Sequence, residues 1–149
     1  MKILIVEDDF FKYSKIIESI SVFMSEVEIC RCDNVHAAIK FVKNNTPDKI
    51  ILDMSLPSHA ARIGEGSPIP MPAGGVEILL ELSYRKKEYI PVLILTQYEE
   101  IEIEDDYFSI DDAGKELQKL YGFENISVSL YDNDITDWHV NIKEFIEGL

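Results

Sequence analysis

Five short aliphatic runs alternate along this chain with amphipathic stretches, and that alternation constrains the fold more than any other feature. Lys2–Val6, Lys49–Asp53 and Pro91–Thr96 are apolar almost throughout, the mark of strands buried on both faces. Val27–Cys32 is a short strand of alternating character and Ile126–Leu130 is a fifth strand. Between them lie helical patterns. Phe10–Phe23 places Phe10, Tyr13, Ile16, Ile17, Ile20 and Phe23 on one stripe. Asn34 caps a helix running to about Asn44, with Val35, Ala38, Ile39 and Val42 toward the core. Gly75–Lys87 carries Val76, Ile78, Leu79, Leu80 and Leu82, and its Arg85, Lys86 and Lys87 suit the negative end of a helix dipole. Ser109 caps a helix to about Tyr121 that Gly122 closes. Asp134–Gly148 is a last helix with Ile135, Trp138, Ile142, Phe145 and Ile146 apolar.

Strands that alternate with helices imply a parallel sheet, right-handed crossovers and helices on both faces. The expected fold is flavodoxin-like, a (βα)5 unit with strand order 2-1-3-4-5, and its crevice lies at the carboxyl ends of the strands. Two segments interrupt the pattern. Met54–Gly74 holds Pro57, Pro68, Pro70, Pro72, Gly64, Gly66 and Gly74 and reads as a long, mobile loop. Gln97–Phe108 reads as an acidic, irregular loop.

A length of 149 residues fits one domain over 1–149. At 46% hydrophobic and 28% charged the composition is globular. No apolar run approaches the roughly 18 residues of a membrane span. The start, MKILIVEDD, passes from aliphatic residues straight into acids, unlike a signal peptide. Twenty-eight acids against 14 bases give a net charge of −14, which argues against direct binding to nucleic acid or an anionic membrane. Cys30 and Cys32, two apart on one strand, read as reduced thiols of a cytoplasmic protein.

The strand ends gather the chemistry. Strand one ends in Glu7, Asp8 and Asp9, strand three in Asp53 and strand four in Thr96. Carboxylates brought together repel unless a cation joins them, and an oxygen-only ligand set suits Mg²⁺. A carboxylate beside Mg²⁺ can attack a phosphoryl group while the metal neutralises charge on the transferred oxygens. A neighbouring hydroxyl can then bond a phosphoryl oxygen.

Four segments carry a family resemblance: Ile3-Leu4-Ile5-Val6-Glu7-Asp8-Asp9, Ile50-Ile51-Leu52-Asp53-Met54-Ser55-Leu56-Pro57, Gly75-Val76-Glu77-Ile78-Leu79, and Pro91-Val92-Leu93-Ile94-Leu95-Thr96. Together they resemble the receiver domain of two-component response regulators, over nearly the whole chain. The resemblance implies that Asp53 accepts a phosphoryl group from a histidine kinase or phosphotransfer protein. It implies that Glu7, Asp8 and Asp53 hold Mg²⁺ with the backbone carbonyl of Ser55, and that Thr96 is the switch hydroxyl. It implies a signalling protein rather than an enzyme. With no residues left for an output domain, signalling would pass through contact with a downstream protein.

Three departures from the family pattern stand out. Receivers carry a lysine at the end of strand five, where this chain has Ser129, and no Lys or Arg lies between Lys119 and Lys143. The aromatic switch position on that strand is Ile126, with Tyr131 close by. The segment from Asp53 to Gly75 is longer than the family's. Arg62, the one base of the long loop, is the replacement cation the sequence offers. A second reading, from another class, keeps the fold without phosphorylation: a pseudo-receiver adaptor that binds through the long loop and the eight acids of Glu99–Asp112. A Mg²⁺-dependent phosphatase is disfavoured, because Ser55 stands where such an enzyme needs an acid. His36, His59 and His139 show no metal-ligand spacing. Trp138 reads as packing rather than ligand stacking.

Overall fold

The computed structural model describes every residue except Glu65, Asn133, Ile135, Thr136 and Leu149, so the expectation for Ile135 lies outside the described residues. Its frame is a parallel sheet of β1 (Lys2–Val6), β2 (Glu28–Cys32), β3 (Lys49–Leu52), β6 (Val92–Thr96) and β9 (Ile126–Leu130), in the order β2-β1-β3-β6-β9. Counting only these five, the order is 2-1-3-4-5, as the alternation implies. The connecting helices are α1 (Phe10–Ser21), α2 (Val35–Asn44), α3 (Gly74–Tyr84), α4 (Ile110–Tyr121) and α5 (Asp137–Glu147).

The pleat explains why the runs are continuously apolar. Leu4, Val6, Ile50, Leu52, Val92 and Ile94 point to one face, where they pack with α2, α3 and α4. Ile3, Ile5, Ile51, Leu93 and Leu95 point to the other, against Ile16 and Ile20 of α1 and Trp138, Ile142 and Ile146 of α5. A strand covered on both faces has no solvent side for polar residues. The caps are the expected ones: Asn34 accepts from the amide of Ala37, Ser109 accepts from that of Asp112, and Gly122 closes α4 at φ 78°.

Two segments depart from the sequence expectation. The acidic stretch after β6 is not irregular. It forms a hairpin of β7 (Glu100–Ile103) and β8 (Asp106–Ser109), turning through Glu104 and Asp105 at φ 50° and 71°. Two consecutive left-handed residues give the primed turn that matches strand twist. Ile101 and Ile103 are 3% and 1% exposed and join the core, while Glu100 is exposed and Glu102 half-buried. The long loop after Asp53 is also tied at its base. β4 (Leu56–Pro57) pairs antiparallel with β5 (Pro70–Met71), and the amides of Ser58 and Ile69 extend that pairing through Ile69 O and Ser58 Oγ, both at 2.9 Å.

Candidate functional site

β1, β3 and β6 lie side by side, so their carboxyl ends deliver Glu7, Asp53 and Thr96 to one edge of the sheet. All three are buried, at 2%, 3% and 0% exposure. Asp8 lies beside them and is exposed. Glu7, Asp8 and Asp53 each offer a carboxylate oxygen, and these three oxygens lie within 4.8 Å of one another. Asp9 does other work: its Oδ1 accepts from the amides of Phe11 and Lys12 at 2.9 and 3.2 Å and caps α1. Arg31 on β2 steadies the β1 exit, donating from Nη2 to the carbonyls of Glu7 and Asp8 at 3.2 and 3.4 Å.

Burial sets the electrostatics. The Glu7 carboxyl is pushed up from 4.5 to about 7, chiefly by desolvation; the Lys12 ammonium works against this and the Asp53 carboxylate adds to it. Asp53 is likewise raised, first by desolvation, with Lys12 and the amide of Met54 opposing. Two buried carboxyls that resist ionisation beside a third fit a divalent cation, which removes both the repulsion and the desolvation cost. The donor set is oxygen only, as Mg²⁺ prefers.

The sequence reading missed one member of this site. The base beside Asp53 is Lys12, from the first helix. Its Nζ stands 2.8 Å from Glu7 Oε1 and 3.6 Å from Asp53 Oδ1, and the residue is 3% exposed. A signal was present: Lys12, Ile16 and Ile20 are spaced by four and share a face of α1. A hydrophobicity stripe passes over a lysine, while Phe10, placed on the buried stripe, is 67% exposed. Arg62, the replacement cation the sequence offers, is exposed in the long loop. Among the described residues it has no ion pair with Asp53.

Other expected residues fall as follows. Ser55 follows Met54 at the β3 exit, and both line a cleft of about 800 Å³ with Thr96, Gln97, Glu99 and Glu102. Thr96 Oγ1 accepts from the amide of Tyr98 at 3.2 Å. Ser129, the position at which the resemblance implies a lysine, is buried and accepts a hydrogen bond from Asn141 Nδ2 at 2.8 Å. Tyr131 is buried and packs on Trp138, with ring centres 4.9 Å apart. His59 pairs locally with Ser58 Oγ at 2.9 Å. His139 stacks on Trp138 and meets Ser19 Oγ. Gly75 approaches so closely that a Cβ there would lie 2.9 Å from the Asp53 carbonyl.

No family model matches the chain. It is 47% identical, over 148 residues, to the Detocs response regulatory protein DtcB of Vibrio alginolyticus, covering 98% of this chain and 99% of that protein. Among solved structures it resembles the Mn²⁺-bound form of the response regulator Rcp1, with 23% identity, a TM-score of 0.67, and coverage of 99% and 96% of the two chains. It also resembles the response regulator TrrA of Thermotoga maritima in complex with Mg²⁺ and BeF, with 18% identity, a TM-score of 0.58 and 97% of each chain covered. These structural likenesses speak to the fold.

Proposed function

The chain belongs to the response regulator family, and from that premise we propose that it is a receiver whose Asp53 takes up a phosphoryl group. The donor on this reading is the phosphohistidine of a kinase or phosphotransfer protein. A carboxylate oxygen of Asp53 forms a bond to phosphorus as the donor's P–N bond breaks, and the electron pair of that bond stays on the imidazole nitrogen. Glu7, Asp8 and Asp53, with the carbonyl of Ser55, would hold Mg²⁺, which supplies charge neutralisation at the transferred oxygens. Thr96 donates its hydroxyl to a phosphoryl oxygen. Because its oxygen also accepts from the amide of Tyr98, a shift of Thr96 is passed toward the β7–β8 hairpin.

One observation carries this reading: the carboxylate of Asp53, buried at the sheet edge, has an oxygen within 4.8 Å of oxygens of two further carboxylates, Glu7 and Asp8. On it the chain is a signalling protein rather than an enzyme, a single receiver over 1–149. It works in the cytoplasm through protein contacts, and not through nucleic acid or membrane. No described helix is long and apolar enough to cross a membrane. The test is intact-mass measurement after incubation with Mg²⁺ and phosphoramidate. A gain of one phosphoryl group that Asp53→Asn and EDTA both abolish is expected; no gain in wild type refutes the proposal.

A phosphorylation-independent adaptor is the second reading, favoured by the acidic β7–β8 hairpin beside the cleft. It requires a partner with a basic surface whose affinity is indifferent to Asp53→Asn.

A further inference from the structure

Burying an ammonium costs several kcal/mol unless close partners replace its hydration. The partners of Lys12 all lie at the carboxyl edge of the sheet. Besides Glu7 and Asp53, its Nζ donates to the carbonyl of Leu95 at 2.8 Å and to Gln97 Oε1 at 3.4 Å, and it stands 5.3 Å from the centre of the Tyr131 ring. Leu95 is the rung opposite Ser129 in the β6–β9 ladder. Ser129 bonds Asn141 of α5, so its side chain is on the sheet face that α1 also covers. The Lys12 ammonium therefore arrives from the helix at the rung, and on the face, where a lysine at position 129 would stand.

We propose that Lys12 is the cation that pairs with the phosphoryl group on Asp53, delivered from α1 in place of a lysine on β9. This deepens the phosphoacceptor reading and rests on it. Transfer turns a singly charged carboxylate into an acyl phosphate of charge near −2, inside a pocket that already disfavours anions. Lys12 is the base that ion-pairs with Asp53 among the described residues. It neither gives nor takes a proton in the step; the new O–P bond and the broken donor bond balance without it. Its share is charge. When Glu7 turns to a metal ion, the hydrogen bond Lys12 now gives to Glu7 passes to a phosphoryl oxygen. The bond to Leu95 O keeps the ammonium in place.

Calorimetry on the full chain with Mg²⁺ alone, then with beryllofluoride at saturating Mg²⁺, tests this assignment. Lys12→Met keeps the alkyl stem and removes the charge. It should bind Mg²⁺ as tightly as wild type or more tightly, because a competing cation has left the carboxylates. Its affinity for beryllofluoride should fall about ten- to hundredfold, the worth of one charge-assisted contact. Adding Ser129→Lys should recover most of that loss, since it returns an ammonium to the rung beside Leu95. A merely structural lysine would move both affinities together or neither. Beryllofluoride affinity unchanged in Lys12→Met, or falling only in step with Mg²⁺ affinity, overturns the assignment and leaves the phosphoacceptor reading intact. If Lys12→Met does not fold, the Lys12→Met/Ser129→Lys protein decides: near wild-type affinity for the mimic supports the assignment and loss of it overturns it. A wild type that binds Mg²⁺ but neither the mimic nor a phosphoryl group overturns the phosphoacceptor reading, and the assignment with it.

Discussion

Two helical glycines should respond to alanine in opposite directions, and the structure gives the sign of each. Gly75 lies in the first turn of α3, and its amide donates to the carbonyl of Met54 at 2.9 Å. A Cβ there would meet Met54 Sδ at 2.6 Å, the Asp53 carbonyl oxygen at 2.9 Å and Met54 Cα at 3.0 Å. The sulfur can swing aside; the two backbone atoms belong to the β3 exit and cannot. The helix must back away by a few tenths of an ångström in a close-packed interior, which costs about 1–3 kcal/mol. For a chain of this size that lowers Tm by roughly 2–12 °C. Gly114, by contrast, lies within α4, where a Cβ would meet nothing nearer than the Ile126 carbonyl at 3.5 Å. That is ordinary contact, so Gly114→Ala should gain the helix preference of alanine, about 0.5–1 kcal/mol. Urea denaturation in EDTA reads both. Because the obstruction at Gly75 is the backbone of Asp53, Gly75→Ala should also weaken Mg²⁺ binding while Gly114→Ala leaves it unchanged. If both substitutions shift the midpoint the same way, the close approach at the site is not what fixes Gly75.

Three further outcomes follow from the same geometry. The Glu7 carboxyl keeps its proton up to about pH 7, so a metal must displace that proton at lower pH; Mg²⁺ affinity should fall about thirtyfold from pH 8 to pH 5.5, and a pH-independent affinity would remove Glu7 from the ligand set. Burial, aided by Asp33 and Cys30, lifts the Cys32 thiol to about 11, leaving about a hundredfold less thiolate than at an ordinary site; iodoacetamide at pH 8 should therefore label half-buried Cys30 well before Cys32, as peptide mass mapping would show. Lys49 Nζ donates to the carbonyls of Phe145, Ile146 and Gly148 at 2.5, 2.9 and 2.7 Å and closes the end of α5; Lys49→Met should cost about 2 kcal/mol in urea denaturation, and a loss below 0.5 kcal/mol would mean that water serves those carbonyls as well.

What could be read from the sequence follows from how local each determinant is. The five sheet strands are legible because burial on both faces removes polar residues from them. The caps Asn34 and Ser109 and the closing Gly122 are legible because each acts within four residues. The β7–β8 hairpin is written just as locally, in the Glu100-Ile101-Glu102-Ile103 alternation. Its acids mask that period, and its turn at Glu104 and Asp105 uses no glycine or asparagine to announce the left-handed backbone. The β4–β5 pairing joins positions 56–57 to 70–71 across an intervening loop, and no short-range pattern specifies such a contact.

The carboxylate cluster is legible for the same reason as the strands: once strand order is known, strand ends are neighbours, and Glu7, Asp8 and Asp53 must meet. The cation is a different matter, because the pocket sets the charge it needs and not the element that delivers it. Serine at position 129, where the resemblance implies lysine, reads, residue by residue, as loss of the positive charge. The pocket, however, constrains only where an ammonium ends, and on the assignment proposed above a lysine stem of four methylenes reaches that point from α1. Lys12 enters between Glu7 and Leu95 along the stripe that Ile16 and Ile20 bury, so the apolar face of α1 carries the charge inward. A basic residue on the buried face of an amphipathic helix, one turn before its first core aliphatic, is therefore a candidate site residue whenever that helix follows an acidic strand end.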